Sequence, residues 1–490
     1  MPLPSISPSA AAIDAAGLLA LVDALEAHPG IEMHSFAIAR AGRVVAEGYW
    51  APYAAERPHL LYSVSKSWTA TAVGVLVDEG RLALSDPVCR DLPGVDFAAL
   101  PARWQQVTVG DCLRMATGHD QEAWLWGSDE SGVATRPLLD SGLDPMVARI
   151  LAHEPEHEPG THFAYNQVAT YLVAAAARAV AGTSLVGILR ERVLEPLGVP
   201  ELLWKTTGSG AELGFSGSFA RTRDVLALAQ LYLDEGRVGD RQVLSPEWVE
   251  CARTPSGLVN PDPGGPDWAQ GYGCSFWSSR HGYRGDGAFG QFAIVLPQHR
   301  IAVATTAETG DMQAILDAIW THLLPAVDRA VDRPGDPAAD TAADTALAER
   351  LAGLRIAPPP PLPFAGGQWS RTSGDVAQSY SAARVRPVEP GGGWELTLTR
   401  DGTDLTVAVG AGAWAESEWR ADGIRLPLVA AGGGTGDGGF AAQIRLVETP
   451  HTVHLRATPA PPGGPGGFDL SWSLPPLHGP DPLRQSARYA

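Results

Sequence analysis

Hydrophobic and polar residues change their spacing several times along the first two thirds of the chain. Alternating runs predict β-strands, and apolar positions that recur every three or four residues predict helices. The strand-like runs are 34–41, 44–50, 287–297 and 300–306, and the helix-like runs are 64–79, 167–181, 222–236 and 311–324. Together they predict an α+β fold, in which helices cover an antiparallel sheet beside an all-helical region.

The pattern changes after residue 330. Residues 333–347 contain mainly Pro, Ala and Asp and few bulky apolar residues, which is typical of a linker. Beyond them, short alternating segments separated by glycine-rich turns predict a small antiparallel β domain, either a sandwich or a barrel. The sequence therefore predicts a first domain over 1–330, a linker over 331–347 and a C-terminal all-β domain over 348–490.

The helix-like run at 64–79 carries the clearest chemical signal. Ser63 and Lys66 form an S-x-x-K element, and this spacing places both side chains on one face of the first helical turn. A serine hydroxyl is a weak nucleophile until a neighbour takes its proton, and a lysine whose pKa is lowered by burial can do so. The N–H groups at a helix N-terminus also favour a developing oxyanion. This geometry is suited to acyl transfer.

Lysine usage supports this interpretation. Of the 36 Lys and Arg residues, only Lys66 and Lys205 are lysines. Arginine stays protonated and cannot act as a base, so a chain that otherwise uses arginine nevertheless has a lysine three residues after Ser63. The alternative is an ordinary surface lysine on a core helix.

Composition bounds the possible partners. With 490 residues, the chain has room for two domains or more. Its formal net charge of −19, without any Lys/Arg-rich run, argues against nucleic acid and anionic membranes as partners. No basic leader region and no apolar run of about 18 residues occurs, so we expect a cytoplasmic protein. The four scattered cysteines are interpreted as reduced core residues, although the sequence also allows one disulfide.

Two further segments are candidates for the chemistry. Tyr165 stands just before the helix-like run at 167, where a tyrosine near a lysine ammonium can pass a proton between the serine and a leaving group. The alternative is an amphipathic core tyrosine. The glycines of segment 284–291 let its backbone approach a ligand, and its N–H groups could complete an oxyanion hole with that of Ser63. The alternative is a glycine-rich hairpin turn.

Five segments in a fixed order carry a resemblance to a known family. They are YSVSKS, LALSDPV, VTVGDCLRMATGH, EPGTHFAYN and GDGAFGQFAIVLP. Together they resemble the class C β-lactamases and penicillin-recognising serine hydrolases, with their esterase, D-aminopeptidase and aminohexanoate-oligomer hydrolase branches. The resemblance covers roughly residues 10–328. It implies a β-lactamase/transpeptidase-like fold whose active site lies between the sheet and the all-helical region.

The resemblance also implies roles for individual residues. Ser63 matches the nucleophile, Lys66 its base partner and Tyr165 the tyrosine of the second motif. Gly285-Asp286-Gly287 stand where the family has a lysine- or histidine-threonine-glycine triplet. The backbone N–H of Ala288, which follows Gly287, would then be the second oxyanion donor. This chemistry uses neither a cofactor nor a metal.

The departures from the family pattern bear on the substrate. The family's asparagine is replaced by Gln167, while Asn166 stands one residue early, and both are candidates for substrate binding. Neither lysine nor histidine precedes Asp286, and in β-lactamases and DD-peptidases that cation helps to bind the substrate carboxylate. Arg284 is the candidate to substitute for it. An ester or small amide is therefore favoured over a penicillin or D-Ala-D-Ala substrate.

Two other matches are interpreted as coincidental. Residues 153–157 read H-E-P-E-H, but the zinc-protease chemistry of that pattern needs a continuous helix, which Pro155 argues against. Lys205 begins K-T-T-G and is predicted to lie in a loop near the cleft edge, where some substrate contact would be allowed.

The sequence thus predicts a serine hydrolase that cleaves a small-molecule ester or amide through an acyl-enzyme on Ser63. One rival is a true class C-like β-lactamase or DD-peptidase. Another is a non-catalytic binding protein that kept the fold. The sequence indicates neither the oligomeric state nor the task of the C-terminal domain.

Overall fold

The computed structural model describes residues 3–120, 144–332, 337–376, 380–388, 392–421, 423–459 and 466–486. The first eleven strands are β1 (Ile31–Arg40), β2 (Arg43–Tyr49), β3 (His59–Leu60), β4 (Leu203–Trp204), β5 (Ser218–Ala220), β6 (Arg237–Val238), β7 (Arg241–Gln242), β8 (Trp277–Ser279), β9 (Gly282–Gly287), β10 (Gln291–Leu296) and β11 (Ile301–Thr309). Six of them form an antiparallel sheet in the order β2-β1-β11-β10-β9-β8, so the predicted hairpin at 34–50 is confirmed at one edge.

Helices surround this sheet. They are α1 (Ala15–Ala27), α2 (Val64–Asp78), α3 (Ala102–Gln106), α4 (Val109–Leu113), α5 (Pro145–Leu151), α6 (Gln167–Ala181), α7 (Leu185–Leu189), α8 (Glu195–Leu197), α9 (Thr222–Leu233), α10 (Pro246–Arg253), α11 (Met312–Ala318), α12 (Leu324–Asp332) and α13 (Pro337–Ala352). Short 3-10 turns occur at Ser9–Ala11, Phe97–Ala99, Pro297–His299 and Pro482–Gln485, and π-helical turns at Arg190–Leu194 and Ile319–Leu323.

Both faces of the sheet are buried, as the composition of its strands requires. Along β1, Phe36 and Ile38 pack in one core with α1 and the helices after residue 311. The alternate residues Ala37 and Ala39 face a second core, which contains α2, α6 and α9. Successive side chains of a strand point to opposite faces, so these alanines all face the second core. Their small size lets the helices lie close to the strands. This confirms the α+β prediction.

The helix predicted to end before Pro325 continues past it. A π-helical turn at Ile319–Leu323 precedes α12, in which Pro325 is the second residue. Proline is tolerated in the first turn of a helix because its missing N–H would be unpaired there in any case. The wider π turn and the restart of the α-helix therefore accommodate a residue that was expected to stop it.

The segment predicted as a linker is largely helical. Residues 333–336 lie outside the described residues, but α13 occupies most of the rest and packs on α1. Its alanines favour a helix, and Leu347, which is 2 % exposed, anchors it in the core beside α1. The division of the chain into domains at this point stays a prediction.

The C-terminal part is a β-barrel, which is one of the two folds predicted for it. Its strands are β12 (Gly367–Ser373), β13 (Tyr380–Pro387), β14 (Gly393–Arg400), β15 (Thr403–Gly410), β16 (Ala415–Ala421), β17 (Ile424–Gly434), β18 (Phe440–Leu446), β19 (His451–Thr458) and β20 (Gly467–Trp472). Pairing of Gly410 with Ala431 joins β15 to β17 and closes eight strands, while β16 pairs with β17 as a ninth. Alternate residues along the strands, such as Leu405, Val407 and Val409, fill the interior.

Candidate active site

Ser63 lies at the N-terminus of α2, at a sharp change of chain direction. Tyr62 has a left-handed backbone, with φ of 48°, and Ser63 itself is the residue that caps α2. Non-glycine residues rarely adopt positive φ, and such positions are concentrated at functional sites. The turn presents the Ser63 side chain at the edge of a cleft and its N–H at the positive end of the helix.

Lys66 follows one helical turn later, as the spacing predicts. It is 1 % exposed, and its Nζ donates hydrogen bonds to Ser63 Oγ at 3.1 Å, to Gln167 Oε1 at 2.5 Å and to the Phe215 carbonyl at 2.9 Å. A lysine side chain offers three donors, and these three acceptors hold its nitrogen beside the serine oxygen. The alternative of an ordinary surface lysine is wrong, because this lysine is in the core.

The second motif brings Tyr165 and Gln167 to the same place. The Lys66 Nζ lies 4.7 Å from the centre of the Tyr165 ring, and that ring stacks on Trp277 at 5.3 Å. Both Tyr165 and Gln167 line the cleft with Ser63. Gln167 is therefore placed to orient Lys66 as well as to face a ligand.

Asn166 has a different position. Its side chain is fully buried and caps α6, accepting a hydrogen bond from the Ala169 N–H at 2.9 Å and donating one to the Ala164 carbonyl at 2.7 Å. Asparagine is a preferred N-cap residue because its oxygen satisfies an otherwise unpaired N–H. We therefore assign Asn166 to the start of the helix rather than to substrate binding.

Strand β9 ends against the segment that precedes Ser63. A Cβ atom on Gly287 would lie 2.1 Å from the Leu61 carbonyl oxygen, and one on Gly285 would lie 2.7 Å from Ser67 Oγ. Only glycine permits so close an approach. As a result Ala288, the residue after Gly287, reaches the same cleft as Ser63.

Arg284 does not face the cleft, contrary to the role considered for it. It is completely buried, and its guanidinium binds Asp286 at 2.9 Å, the Asp267 carbonyl at 2.9 Å and Ser279 Oγ at 2.5 Å. A strand alternates its side chains, but sequence does not say how deep each one lies. Arg284 is thus a buried partner of Asp286 and is not available to a substrate carboxylate.

The cleft has a volume of about 480 Å³ and an acidic, aromatic lining. Burial raises the pKa of Asp286, and the adjacent Arg284 guanidinium offsets part of that rise. Among the described residues that line the cleft, none is Arg, Lys or His. Its lining includes Ser63, Tyr165, Gln167, Asp262, Trp268, Trp277, Asp286, Ala288, Asp311 and Leu477. A larger cavity of about 800 Å³, beside α9 and β6, contains none of the predicted catalytic residues.

The cysteines differ in part from the expectation. Cys251 and Cys274 form a disulfide, whereas Cys89 and Cys112 are free and buried as predicted. The pair ties α10 to the segment that precedes β8, where the Ser275 carbonyl accepts a hydrogen bond from Ser67 Oγ at 3.0 Å. The disulfide thereby supports a wall of the cleft, since the cleft residue Trp277 follows Cys274 by three residues.

The two coincidental matches lie away from the cleft. The pattern at 153–157 is not helical, because α5 ends at Leu151, and His157 instead binds Asp120 at 2.5 Å. Asp120, His157 and His162 converge, but only as partly exposed groups. Lys205 is 5 % exposed rather than at the cleft edge, and its Nζ donates to the Arg484 carbonyl. Burial, and then the charge of Arg484, lower the pKa of Lys205 to about 7.

Sequence reasoning missed several cleft residues. The Phe215 carbonyl that binds Lys66 is a backbone atom and leaves no signal in the sequence. Trp277 and Leu477 stand 112 and 312 residues after Tyr165, so only the tertiary structure brings them together. Asp286 belongs to the altered triplet, but the sequence of that triplet does not show that its carboxylate forms part of the cleft wall.

Comparison with known proteins places this site in a family. The model of the Beta-lactamase family matches residues 18–326, which include Ser63, Lys66, Tyr165 and Ala288. The chain belongs to the Beta-lactamase family. Among solved structures, this Beta-lactamase family member is similar to a putative beta-lactamase from Bacteroides dorei DSM 17855, with a TM-score of 0.53, 17% identity and coverage of 64% of this chain and 99% of that one.

Curated relatives agree with the family. The chain is 27% identical over 222 residues to a 6-aminohexanoate-dimer hydrolase of Paenarthrobacter ureafaciens, covering 44% of this chain and 56% of that protein. It is 26% identical over 307 residues to penicillin-binding protein 4 of Amycolatopsis lactamdurans, covering 54% of this chain and 75% of that protein. The chain thus spans little more than half the length of the first of these relatives.

Within the described residues, no single helix is long and apolar enough to cross a membrane. By length and composition alone, one bent pair would reach the required size, namely Gln167–Ala181 with Leu185–Leu197, which meet at 64°.

Proposed function

We propose that this chain is a serine hydrolase that cleaves an ester or a small amide through an acyl-enzyme on Ser63. One observation carries the proposal: the buried Lys66 Nζ lies 3.1 Å from Ser63 Oγ, and Ser63 lines a cleft together with Tyr165. A nucleophile within hydrogen-bond reach of a base, and a base held by further groups, is the arrangement that activates serine. Membership of the Beta-lactamase family supports it.

The reaction would proceed in two halves. With Lys66 in its neutral amine form, Ser63 Oγ attacks the substrate carbonyl while its proton passes to the Lys66 Nζ, and the N–H groups of Ser63 and Ala288 stabilise the oxyanion. When the tetrahedral intermediate collapses, Lys66 and Tyr165 return the proton to the departing alcohol or amine. Water then attacks the acyl-enzyme with the same groups moving its proton, which releases the acid and restores Ser63.

The charges of the cleft narrow the substrate class. The exposed Asp262 and Asp311 line it, whereas Asp286 is paired with the buried Arg284 and adds little net charge. A substrate carboxylate would meet like charges without a facing cation, which disfavours binding. A neutral or cationic ester or amide is therefore the better substrate. The name of the relative from Paenarthrobacter, an aminohexanoate-dimer hydrolase, is consistent with an amide.

A β-lactamase or DD-peptidase activity is the second candidate. The similarity to a penicillin-binding protein is the observation that favours it. Turnover of a chromogenic cephalosporin, or stable acylation by a penicillin, would establish this alternative. The non-catalytic alternative predicts no covalent adduct with any serine-directed probe.

The test is intact-protein mass spectrometry after incubation with a fluorophosphonate, followed by assays on p-nitrophenyl esters. We expect one adduct on the wild-type chain, none on Ser63→Ala, and a loss of turnover on the order of 10⁶ in that variant. Ser63→Ala changes one atom, and because Ser63 makes no side-chain cap bond to α2, the fold should be retained. Hydrolysis by this variant at the wild-type rate would refute the proposal.

A further inference from the structure

The C-terminal barrel touches the residues that flank both proposed oxyanion donors. Tyr62 precedes Ser63, and Phe289 follows Ala288. The Tyr62 hydroxyl lies 2.5 Å from His451 Nε2 on β19, and the Tyr62 ring meets the His451 ring edge-on at 5.8 Å. The Phe289 ring packs on the rings of both Tyr62 and His451, at 5.1 and 5.0 Å. One side chain of the barrel thus contacts both segments.

The hydrogen bonds of His451 fix its tautomer and its direction. Its Nδ1 lies 3.2 Å from the Leu474 carbonyl, which can only accept, so Nδ1 carries the proton. Nε2 is then the acceptor for the Tyr62 O–H. Burial lowers the pKa of His451 to about 3, which agrees with a neutral ring. The contact therefore has a defined donor and acceptor.

Tyr62 and Phe289 are both held in a strained backbone conformation. Their φ angles are 48° and 68°, in the left-handed region that side chains disfavour. Such conformations persist only where the surroundings over-determine them. His451 supplies part of those surroundings, because it contacts both rings.

A loop of the barrel also enters the cleft. Leu477 lines the cleft together with Ser63, although it lies in the C-terminal part of the chain. The next residue, His478, packs its ring against that of Tyr62 at 5.1 Å, so the same tyrosine contacts His451 and this loop. The loop is thereby joined to the turn that presents the nucleophile.

From these contacts we propose that the barrel completes the active site. His451 is a positioning residue that holds the two segments carrying the Ser63 and Ala288 N–H groups, and Leu477 is a specificity-determining residue that limits the acyl or leaving group. The proposal rests on the proposed hydrolase function and extends it to a region outside the family match, which ends at residue 326.

The positioning role is tested with Tyr62→Phe, His451→Phe and His451→Gln in the full chain. Because displacement of catalytic groups by about 1 Å costs on the order of 10²-fold in rate, we expect the first two variants to lower kcat for p-nitrophenyl acetate about 10- to 100-fold with little change in KM. His451→Gln keeps an acceptor for Tyr62 and should restore most of kcat. His454→Gln, on the same strand but bonded to Ser473, is the matched control.

A second readout does not depend on catalysis. Hydrogen exchange of peptides covering 59–66 and 286–291 should be faster in His451→Phe than in the wild type or in His454→Gln. If the wild-type chain resists a fluorophosphonate and hydrolyses no ester, the proposed function fails, while the exchange rates still decide the positioning role. Unchanged exchange, or unchanged kcat in an active enzyme, would overturn it.

The role of Leu477 is tested with esters of increasing acyl length. Leu477→Ala should raise kcat/KM for p-nitrophenyl octanoate relative to the acetate by about 5-fold or more, and Leu477→Phe should lower that ratio, because the side chain lies in the cleft. His454→Gln, whose side chain is bonded to Ser473 and does not line the cleft, is the control and should keep the wild-type ratio. An identical chain-length profile in the wild type and both Leu477 variants would overturn this assignment.

Discussion

At the scale of single residues, the site depends on the contrast between one lysine and the arginines that the chain uses elsewhere. Lys66 is enclosed by Ser63, Gln167, the Phe215 carbonyl and the Tyr165 ring. A guanidinium in that place would keep a positive charge and several donors, but it would not release its proton in the physiological range. The proposed base role therefore separates lysine from arginine, whereas a purely electrostatic role would not.

Lys66→Arg is expected to lower kcat for p-nitrophenyl acetate by about 10³-fold or more, because general-base catalysis contributes about 10² to 10⁴ and the larger side chain also disturbs the site. Steady-state kinetics and the rate of fluorophosphonate labelling measure the effect. Lys66→Met, which fills similar space without a charge, is the companion variant and should be equally inactive. Substantial turnover by Lys66→Arg would mean that the charge rather than the base matters.

At the scale of elements, the site depends on how closely β9 approaches the turn before α2. Gly287 has no room for a side chain, since a Cβ would lie 2.1 Å from the Leu61 carbonyl oxygen. This contact joins the end of β9, which Ala288 follows directly, to the segment that leads into Ser63. The distance between the two proposed oxyanion donors is therefore set by a backbone contact between two elements.

Gly287→Ala should separate these elements, because a backbone oxygen cannot move aside as a flexible side chain does. We expect kcat for an ester substrate to fall about 10²-fold, together with a lower thermal midpoint. Gly310→Ala is the matched control, since Gly310 also lines the cleft but a Cβ there would meet nothing within 4 Å. Equal activities of the two variants would contradict the role assigned to the close approach.

The local sequence pattern predicts most of the helices and strands and the pairing of Ser63 with Lys66, but not how deeply each side chain is buried. The hairpin, α2, α6 and α9 follow from periodicity, and Ser63 and Lys66 follow from the length of one helical turn. Arg284 was misjudged because alternation says which face a strand residue takes, not whether a neighbouring carboxylate encloses it. The helix α13 was misjudged because its stability comes from packing on α1, which a composition of Pro, Ala and Asp does not show.

At the scale of the whole molecule, the second lysine links the family domain to the C-terminal part. Lys205 follows β4 and donates to the Arg484 carbonyl, and burial lowers its pKa from 10.5 to about 7. The Lys205 ammonium holds its proton more tightly in the unfolded chain than in the folded chain. Unfolding therefore takes up a proton between about pH 7 and 10.5. The free energy of unfolding therefore rises with pH in that window, and the destabilisation caused by burying Lys205 is complete only below about pH 7.

Lys205→Met removes this titration. We expect the variant to gain stability relative to wild type most strongly at pH 7, by at most about 5 kcal/mol before the lost hydrogen bond is counted, and the difference to shrink toward pH 10. Thermal midpoints of both proteins at pH 7 and 9.5 measure it, and pH effects of other groups cancel in the comparison. Parallel pH profiles would show that Lys205 titrates normally in the folded chain.

The charge of the whole chain and that of its cleft have the same sign. The formal net charge is −19, and the exposed Asp262 and Asp311 line the cleft, so the field outside and inside disfavours anions. Three p-nitrophenyl esters of matched length test this: a trimethylammonium-substituted butyrate, a pentanoate and a glutarate monoester. We expect kcat/KM for the anionic ester to be at least about 10-fold below that of the cationic ester at low salt, because like charges repel at short range.

Salt and substitution separate the outer field from the cleft itself. Added salt screens exposed charges over about 10 Å at 0.1 M, so part of the discrimination should disappear in 0.5 M NaCl. Asp262→Asn and Asp311→Asn should reduce it further, and asparagine at 311 can still accept the capping hydrogen bond from Ala314. A preference for the anionic ester that survives in both variants would contradict the proposed neutral or cationic substrate. It would instead favour a substrate that carries a carboxylate.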